Sequence, residues 1–280
     1  MNGTQLETQV RLKFWGVRGS TPTPQIENLN FGGNTSCVEI RTGLNESVIF
    51  DAGSGIRALG QTLMQEAGGS PIDTKIFLTH FHWDHVQGLP FFAPLYGPNN
   101  RVSFLSGSHR PLQETLEGQM TKPYFPIGFD QVAAKREFHQ IGEGCAVEAG
   151  GLTVRPFALN HPQGACGYRI ESNGVVIVYA TDYEHGVKES DETLCEYSQG
   201  ANILICDAQY TPAEYEKHRG WGHSTWENAV LLARDARAEH LMLFHHDPDH
   251  DDQTMMRISQ DARLRFENTT AAWEGFVAAL

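Results

Sequence analysis

The sequence predicts an α/β fold in which two similar layers of strands and helices pack as one domain spanning residues 1–280. Short apolar runs rich in β-branched and aromatic residues alternate with turn signals along the chain. Both halves show the same succession of strands followed by helices, as expected of two packed layers. The 28 glycines among 280 residues favour many tight turns over long helices.

The first half begins with strands and then alternates strands with helices. Strands are predicted where β-branched and aromatic residues cluster, and a helix where Ile56, Leu59 and Leu63 recur on one face. The predicted elements are strands Arg11–Trp15, Ser36–Arg41 and Ser47–Phe50, helix Ile56–Glu66, strands Lys75–Thr79 and Arg101–Leu105, helix Pro111–Met120 and a loop over Thr121–Gln131.

The second half repeats this style and ends in two helices. The dipeptide Asn173-Gly174 suits a type I′ turn and therefore predicts a hairpin. Ser224 and Glu227 have the spacing of a capping box at the start of a helix. The predicted elements are strands Leu152–Leu159, Gly167–Ser172, Val175–Thr181, Ile203–Cys206 and His240–Phe244 and helices Ser224–Ala236 and Asp252–Phe266.

Composition and charge exclude several classes of protein. The 21 Lys and Arg residues against 34 Asp and Glu residues give a formal net charge of −13. This balance argues against a protein whose main work is to grip long nucleic acid, because such proteins neutralise several phosphates with Lys and Arg. Five cysteines without a C-x-x-C pair indicate reduced thiols in a cytoplasmic protein rather than a disulfide framework.

Neither a signal peptide nor a membrane span is expected. The start of the chain, Met1–Val10, is polar and has no apolar h-region. No apolar run approaches the roughly 20 residues that a membrane-spanning helix needs.

The strongest chemical signal is the segment from Thr79 to His85, which reads Thr-His-Phe-His-Trp-Asp-His. Positions 80, 82 and 84 would point the same way if the segment were extended. Imidazole nitrogens and carboxylate oxygens are the ligands that suit zinc and similar divalent ions. A predicted buried strand delivers this cluster, which favours a site for one or two metal ions over a solvated loop.

Further ligand-type residues follow other predicted strands at their carboxyl ends. A lone His or Asp in such a place is more often a turn or cap residue. Taken together, they match the tendency of α/β folds to gather chemistry at one edge of their sheets. These residues are His161, Asp182, Asp207, His245 and His246.

Four more motifs surround these residues: Asp51-Ala52-Gly53-Ser54-Gly55, Gln87-Gly88-Leu89-Pro90, Leu95-Tyr96-Gly97-Pro98 and Gly222-His223-Ser224-Thr225. With His80-x-His82-x-Asp84-His85, they resemble the metallo-β-lactamase fold superfamily of hydrolases. The similarity is greater to the branch that contains ribonuclease Z and related phosphodiesterases, and it extends from Gly16 to Asp247. The His-Ser-Thr segment distinguishes this branch from true β-lactamases.

The resemblance implies an αββα sandwich, in which two mixed sheets flanked by helices carry two metal ions at one edge. His246 is the alternative to His245, which is preferred because it ends the apolar run Leu241–Phe244 as in the family. The ions are expected to be Zn²⁺, with Mn²⁺ and Fe²⁺ as alternatives. By the family pattern, one ion is held by His80, His82 and His161, the other by Asp84, His85 and His245, and Asp182 bridges them.

The reaction expected of such a site follows from metal chemistry. A hydroxide formed at the two ions would attack the substrate, and Asp84 could both ligate and orient it. His223 is the candidate acid for the leaving group, although a helix N-terminus should disfavour its charged form. Asp207 is its expected carboxylate partner, where ribonuclease Z-like enzymes carry a Glu. Asp51 either supports a metal-binding histidine or caps a glycine turn.

The substrate expected from these features is a small phosphodiester, with a cyclic nucleotide as the leading candidate. The His-Ser-Thr segment favours phosphodiesters, and Arg101–Gly151 contains no obvious basic arm for transfer RNA. A ribonuclease Z-like RNA endonuclease, an ester or lactone hydrolase, and a sensing module with one metal ion or none remain alternatives. Dimers are common in this branch, which makes a homodimer possible.

Two further features bear on substrate binding. Arg18 could hold a phosphate oxygen, although a structural ion pair is the more common role for such a residue. Aromatic residues cluster after the metal motif and could stack a nucleobase or form a lid, although most such residues belong to a core or a dimer contact. They are Phe91, Phe92, Tyr96, Tyr124, Phe125 and Phe129.

Overall fold

The computed structural model describes residues 9–43 and 47–280. The polar start of the chain, on which the expectation about a signal peptide depends, lies outside these ranges except for residues 9 and 10. No helix within the described ranges is long and apolar enough to cross a membrane. All five cysteines lie within them, and none forms a disulfide.

The first half forms one mixed sheet with its helices. Its strands are β1 (Arg11–Gly16), β2 (Cys37–Arg41), β3 (Ser47–Phe50), β4 (Asp73–Leu78), β5 (Arg101–Ser106) and β6 (Lys135–Gln140). Its helices are α1 (Ile56–Ala67), the single turn α2 (Trp83–Val86) and α3 (Leu112–Gln119). Strands β3 to β6 run parallel, whereas β1 pairs antiparallel with β2 and β2 with β3.

The second half forms the other mixed sheet. Its strands are β7 (Val147–Ala149), β8 (Leu152–Leu159), β9 (Ala165–Ser172), β10 (Val175–Ala180), β11 (Ile203–Asp207), β12 (Leu241–Phe244) and β13 (Thr269–Ala271), and β14 (Val277–Ala279) joins the first sheet. Its helices are α4 (Lys188–Ser198), α5 (Pro212–His218), α6 (Trp226–Asp235) and α7 (Asp252–Arg265). Strands β10 to β13 run parallel.

The two seven-stranded sheets pack face to face with helices on both outer sides, which confirms the predicted αββα sandwich. The sheet orders are β14-β1-β2-β3-β4-β5-β6 and β13-β12-β11-β10-β9-β8-β7. One core lies between the sheets. A second packs α1 and α3 on the first sheet, and a third packs α4, α6 and α7 on the second. Each of these five helices therefore buries one apolar stripe against one sheet.

Local signals in the sequence had mixed outcomes. The β9–β10 hairpin is confirmed, because Asn173 and Gly174 both have positive φ angles, 51° and 83°, as a type I′ turn requires. The predicted capping box is wrong. Thr225 is the N-cap of α6, and its side chain accepts a hydrogen bond from Asn228 N. The Ser224 hydroxyl instead donates to the Tyr183 carbonyl oxygen at 2.7 Å.

Phe50 lies at the centre of the core between the sheets, and Phe50→Ala is expected to destabilise the protein by about 3–5 kcal/mol. The ring is fully buried and lies 5.3 Å from the ring of Phe77, 5.6 Å from that of Tyr168 and 6.0 Å from that of Tyr179. Urea unfolding of the protein in chelator measures the loss. Leu264→Ala, at a side chain that is 86% exposed, should change the free energy of unfolding by about 0.5 kcal/mol at most.

Candidate metal centre

The predicted site residues meet at one edge of the sandwich, where strands from both sheets end. His80, His82, Asp84 and His85 follow β4, His161 follows β8, Asp182 follows β10, Asp207 ends β11, and His245 follows β12. Because the parallel strands of each sheet end on the same side, residues far apart in the chain come together here.

Three residues at this edge of the sandwich have strained backbones. The φ angles of Asp51, Asp182 and His245 are 60°, 57° and 61°, which lie in the left-handed region that non-glycine residues rarely adopt. Each residue lies within two positions of the end of its strand. Such conformations persist only where the surrounding structure enforces them, and they cluster at functional sites.

One cluster contains three imidazoles and a carboxylate whose ligand atoms all lie within 4.8 Å of one another: His80, His82, His161 and Asp182. His161 Nε2 lies 3.1 Å from His82 Nδ1 and 3.7 Å from Asp182 Oδ1. His80 Nε2 lies 3.6 Å from the same oxygen, and this nitrogen is buried without a hydrogen-bond partner. A buried nitrogen without a partner is rare, and here its lone pair is available to a cation.

A second cluster contains Asp84, His85, Asp182 and His245. His85 Nε2 lies 3.0 Å from Asp182 Oδ2, 3.2 Å from Asp84 Oδ2 and 3.3 Å from His245 Nε2. Asp182 therefore faces the first cluster with Oδ1 and the second with Oδ2. This is the geometry of a carboxylate shared between two neighbouring cation sites.

Contacts behind the clusters orient three of the imidazoles. His85 Nδ1 donates to Asp51 Oδ2 at 2.8 Å, and His161 Nδ1 donates to the Gly222 carbonyl oxygen at 2.8 Å. His245 Nδ1 donates to Gln209 Oε1 at 2.9 Å. With Nδ1 engaged as a donor, each ring turns its Nε2 toward the clusters.

Asp51 contacts His85 of the second cluster. Of its two expected roles, support of a metal-binding histidine and capping of a glycine turn, this geometry fits the first. Asp51 is fully buried and accepts hydrogen bonds from His85, from the Tyr179 hydroxyl at 2.9 Å and from Thr79 N at 2.8 Å. Tyr179 was not singled out from the sequence, and Thr79 was noted only as the first residue of the metal motif.

Asp84 reaches the cluster in a different way from the one expected. The segment is not extended beyond His82, because Trp83–Val86 form the helical turn α2. Asp84 Oδ2 accepts a hydrogen bond from Ser20 N at 2.8 Å and lies 3.1 Å from His245 Nε2. Burial raises the pKa of the Asp84 carboxyl, but His85 and His245 outweigh burial and hold this pKa well below its usual range.

The charge of the site suits cations. Asp51, Asp84, Asp182 and Asp207 are at most 5% exposed. Burial lowers the pKa of His80 well below its usual value, so this ring stays neutral beside them. Buried carboxylates are costly unless cations offset them. The number of carboxylates, the neutral His80 ring and the shared Asp182 together fit two divalent metal ions.

His223 and Asp207 lie beside the clusters and contact each other. His223 Nδ1 donates to Asp207 Oδ2 at 2.9 Å, so the aspartate side chain is long enough to reach the imidazole. The His223 ring stacks on that of His245 with centroids 4.9 Å apart. Burial lowers the pKa of His223, but Asp207 outweighs burial and raises this pKa to about 9.

His246 and Arg18 have structural roles. His246 is fully buried, and its Nε2 donates to the Ala272 carbonyl oxygen at 2.8 Å, so His245 alone of the two joins the clusters. The buried Arg18 guanidinium donates to the backbone carbonyl oxygens of Gly32, Asp247 and His250. Both expectations for Arg18 are therefore wrong, because it holds loops instead of a phosphate or a carboxylate.

The aromatic residues after the metal motif divide into two groups. Phe92 and Phe129 are buried in the core under α1 and α3, and Phe125 packs against that core. Tyr124 is 86% exposed, and Phe91 and Tyr96 are also exposed. Of these aromatic residues, only the exposed Phe91, Tyr96 and Tyr124 are therefore accessible for stacking on a substrate.

Gly19 leaves space for His245, and Gly19→Ala is expected to lower the metal content of the purified protein. A Cβ atom at this position would lie 2.4 Å from His245 Nδ1, which is far inside contact distance, and no positive φ contributes strain. Metal analysis after dialysis measures the effect. Gly118→Ala is the matched control, since a Cβ atom there meets nothing within 4 Å. Equal metal content in both variants would contradict the prediction.

The chain is similar in sequence and in fold to several known proteins. A family model described as "Beta-lactamase superfamily domain" matches residues 46–246. Ribonuclease Z of Thermoplasma acidophilum is 24% identical, with 94% of each chain covered. The solved structure of the metallo-beta-lactamase fold protein YhfI from Bacillus subtilis has a TM-score of 0.73 at 17% identity and covers 98% of this chain and 100% of the other. A diphosphatase from the PhnP family has a TM-score of 0.67 at 22% identity, with 98% of each chain covered.

Proposed function

The chain belongs to the beta-lactamase superfamily of metallohydrolases, and on this premise we propose that it is a metal-dependent phosphodiesterase acting on a small phosphodiester. One observation carries the proposal. Asp182 faces one His cluster with each of its two carboxylate oxygens, while the His223–Asp207 pair lies beside both clusters. A pair of cation sites with an adjacent proton donor is an arrangement that can hydrolyse a phosphodiester.

Seven residues are proposed to hold two divalent metal ions. The first ion would be held by His80, His82 and His161, the second by Asp84, His85 and His245, and Asp182 would be shared. The unpartnered Nε2 of His80 and the buried carboxylates support this assignment. Bound there, two such ions supply water activation and offset the negative charge of a phosphodiester. Zn²⁺ suits a donor set of imidazoles and carboxylates best, and Mn²⁺ and Fe²⁺ are alternatives.

The other residues of the site would orient groups and move a proton. Asp84, held by Ser20 N, would orient the attacking water from its fixed carboxylate. His223 would carry a proton on Nε2 toward the leaving oxygen, because its Nδ1–H is engaged by Asp207. Asp207 would hold the ring and favour its protonated form, as the raised pKa of His223 indicates. It also accepts from Ser224 N at 2.9 Å, which ties the acid to the start of α6.

A small substrate, with a cyclic nucleotide as the leading candidate, is proposed for two reasons. The net charge of −13 opposes a long polyanion. A cleft beside the site, of about 680 Å³, is lined by Glu184, Glu216 and Glu227 and by one Lys or Arg side chain, that of Arg219. A chain of further phosphates would meet net negative charge there.

A second candidate is an RNA endonuclease. The observation that favours it is the likeness to ribonuclease Z along nearly the whole chain. Under this alternative the exposed aromatics, such as Tyr124, would stack bases of the RNA. Dimers are common among such enzymes, so a homodimer is proposed for either function.

The test is a substrate screen on metal-reconstituted protein. Cyclic mononucleotides and bis(p-nitrophenyl) phosphate should be hydrolysed, and precursor transfer RNA should not. Cleavage of the transfer RNA without hydrolysis of cyclic nucleotides would favour the endonuclease, and turnover of lactone or ester substrates alone would favour a different hydrolase. Fewer than one bound ion per chain would favour a sensing module and overturn the proposal.

A further inference from the structure

Glu184 connects three loops of the site, although the proposed chemistry makes no use of it. Its carboxylate accepts hydrogen bonds from the Tyr215 hydroxyl at 3.0 Å and from Gly220 N at 2.7 Å through Oε1, and from Gly222 N at 2.8 Å through Oε2. Its backbone pairs with Asn160, since Glu184 N donates to the Asn160 carbonyl oxygen at 2.8 Å and Asn160 Nδ2 donates back at 2.7 Å.

Two of these contacts lead to His161. Asn160 precedes His161 in the chain, and Gly222 accepts the His161 Nδ1 hydrogen bond through its carbonyl oxygen. Glu184 therefore holds the amide of Gly222 while His161 binds its carbonyl oxygen. A Cβ atom at Gly222 would lie 2.3 Å from His161 Nδ1, so the residue and the ring are in close contact. Any rotation of the Gly222 backbone would move the ring.

The same loop leads to His223. Gly220 and Gly222 both have positive φ angles, 84° and 91°, so the segment has little intrinsic preference for one conformation. Gly220 N and Gly222 N both donate hydrogen bonds to the Glu184 carboxylate, and these two bonds hold the segment in place. Hydrogen bonds to a charged group are roughly twice as strong as those between neutral groups. His223 follows directly and is held on its other side by Asp207.

We infer that Glu184 is a positioning residue that orients His161 in the first cluster and places His223 through the 220–222 loop. The inference rests on the proposed function, because it assumes that the first cluster binds a metal ion. Glu184 lies two positions after Asp182, so one short segment supplies both the shared carboxylate and the residue that aligns two other loops. A glutamine in its place would keep the size but could accept only through its single oxygen.

The test is the metal affinity of Glu184→Gln, measured by competition with a chromophoric chelator. The affinity for one of the two ions should fall about 10- to 100-fold, as for loss of a partner behind a metal-binding histidine. The affinity for the other ion should not change. The kcat of the variant should fall, and its KM should stay unchanged. Glu216→Gln is the matched control, because Glu216 lines the same cleft but pairs at the surface with Arg219. Tyr215→Phe, which leaves both glycine contacts intact, should also bind both ions normally.

Three outcomes would overturn the inference. Wild-type affinity for both ions in Glu184→Gln would show that the carboxylate does not align His161. An equal loss in Glu216→Gln would point to the charge of the cleft instead. A Glu184→Gln protein that is unfolded without metal, while Tyr215→Phe folds, would make Glu184 a folding determinant. Failure of the wild-type protein itself to bind metal would instead refute the proposed function, and the inference with it.

Discussion

The Asp84→Ala variant is expected to show no phosphodiester turnover above the rate in buffer and to bind its second metal ion at least about 100-fold more weakly. Asp84 Oδ2 lies 3.2 Å from His85 Nε2 and 3.1 Å from His245 Nε2. Its removal leaves these imidazoles facing each other without the carboxylate. Loss of a partner behind a ligand already costs about 10- to 100-fold in affinity, and loss of a ligand should cost more. Metal analysis after dialysis and initial rates measure the two effects.

Asp261→Ala is the control for the lost charge. Asp261 lies on the exposed side of α7, and its removal should leave metal content and rate unchanged. Asp84→Asn separates shape from charge, since it keeps the size of the side chain but removes the anion. If Asp84→Ala retained two ions and a measurable fraction of the wild-type kcat, the role assigned to Asp84 would be wrong.

The His223→Ala variant is expected to lower kcat by about 10²–10⁴-fold, the usual contribution of a general acid, while both ions stay bound. His223 belongs to neither of the two clusters that share Asp182, and its Nδ1 is engaged by Asp207. The loss should be greatest for an alkoxide leaving group, which must be protonated. It should be much smaller for p-nitrophenolate, which departs as an anion. Steady-state kinetics on both substrate types, with metal analysis of the same samples, measure this difference.

His139→Ala is the matched control, because His139 is an exposed histidine on strand β6. It should leave both the rate and the metal content unchanged. The role of His223 would be refuted if His223→Ala lost metal, or if its kcat fell equally for the two leaving groups. In the first case His223 would act as a ligand together with Asp207 and His245, which lie close to it.

The sequence predicts the core strands well and the peripheral elements poorly. Strand β12 (Leu241–Phe244) is buried throughout, so its apolar run was recognisable. Strand β6 is half exposed and rich in charged residues, and only two residues of α4 are buried, so neither has a clear apolar pattern. Both were missed, as were the short strands β7, β13 and β14, because their stability comes from packing against neighbours rather than from local preference. Helix α5 was also missed, although Thr211 and Glu214 form a capping box at its start and Pro212 lies in its first turn.

The residues that support the site show a similar division. Gly222 belongs to a motif that was noticed, but its contact with His161 was not foreseeable. No pattern in the sequence indicated the roles of Gln209 and Ser20. The Gln209 amide contacts His245 and the Ser20 N–H contacts Asp84 only because the fold brings these groups together. Arg18 was misjudged because its partners are carbonyl oxygens, which every residue carries.

The sequence by itself determined the two-layer α/β architecture and the chemistry of the site. Apolar runs that end in His or Asp indicate where strands end, and the His or Asp identifies the ligand atoms that follow. The tertiary structure alone decided that Asp182 faces both clusters, that His245 rather than His246 joins them, and that Glu184 holds the loop before His223. These outcomes depend on backbone angles and on approaches of 2.7–3.6 Å between segments far apart in the chain, which only the packing of the two sheets and of the loops at their edge sets.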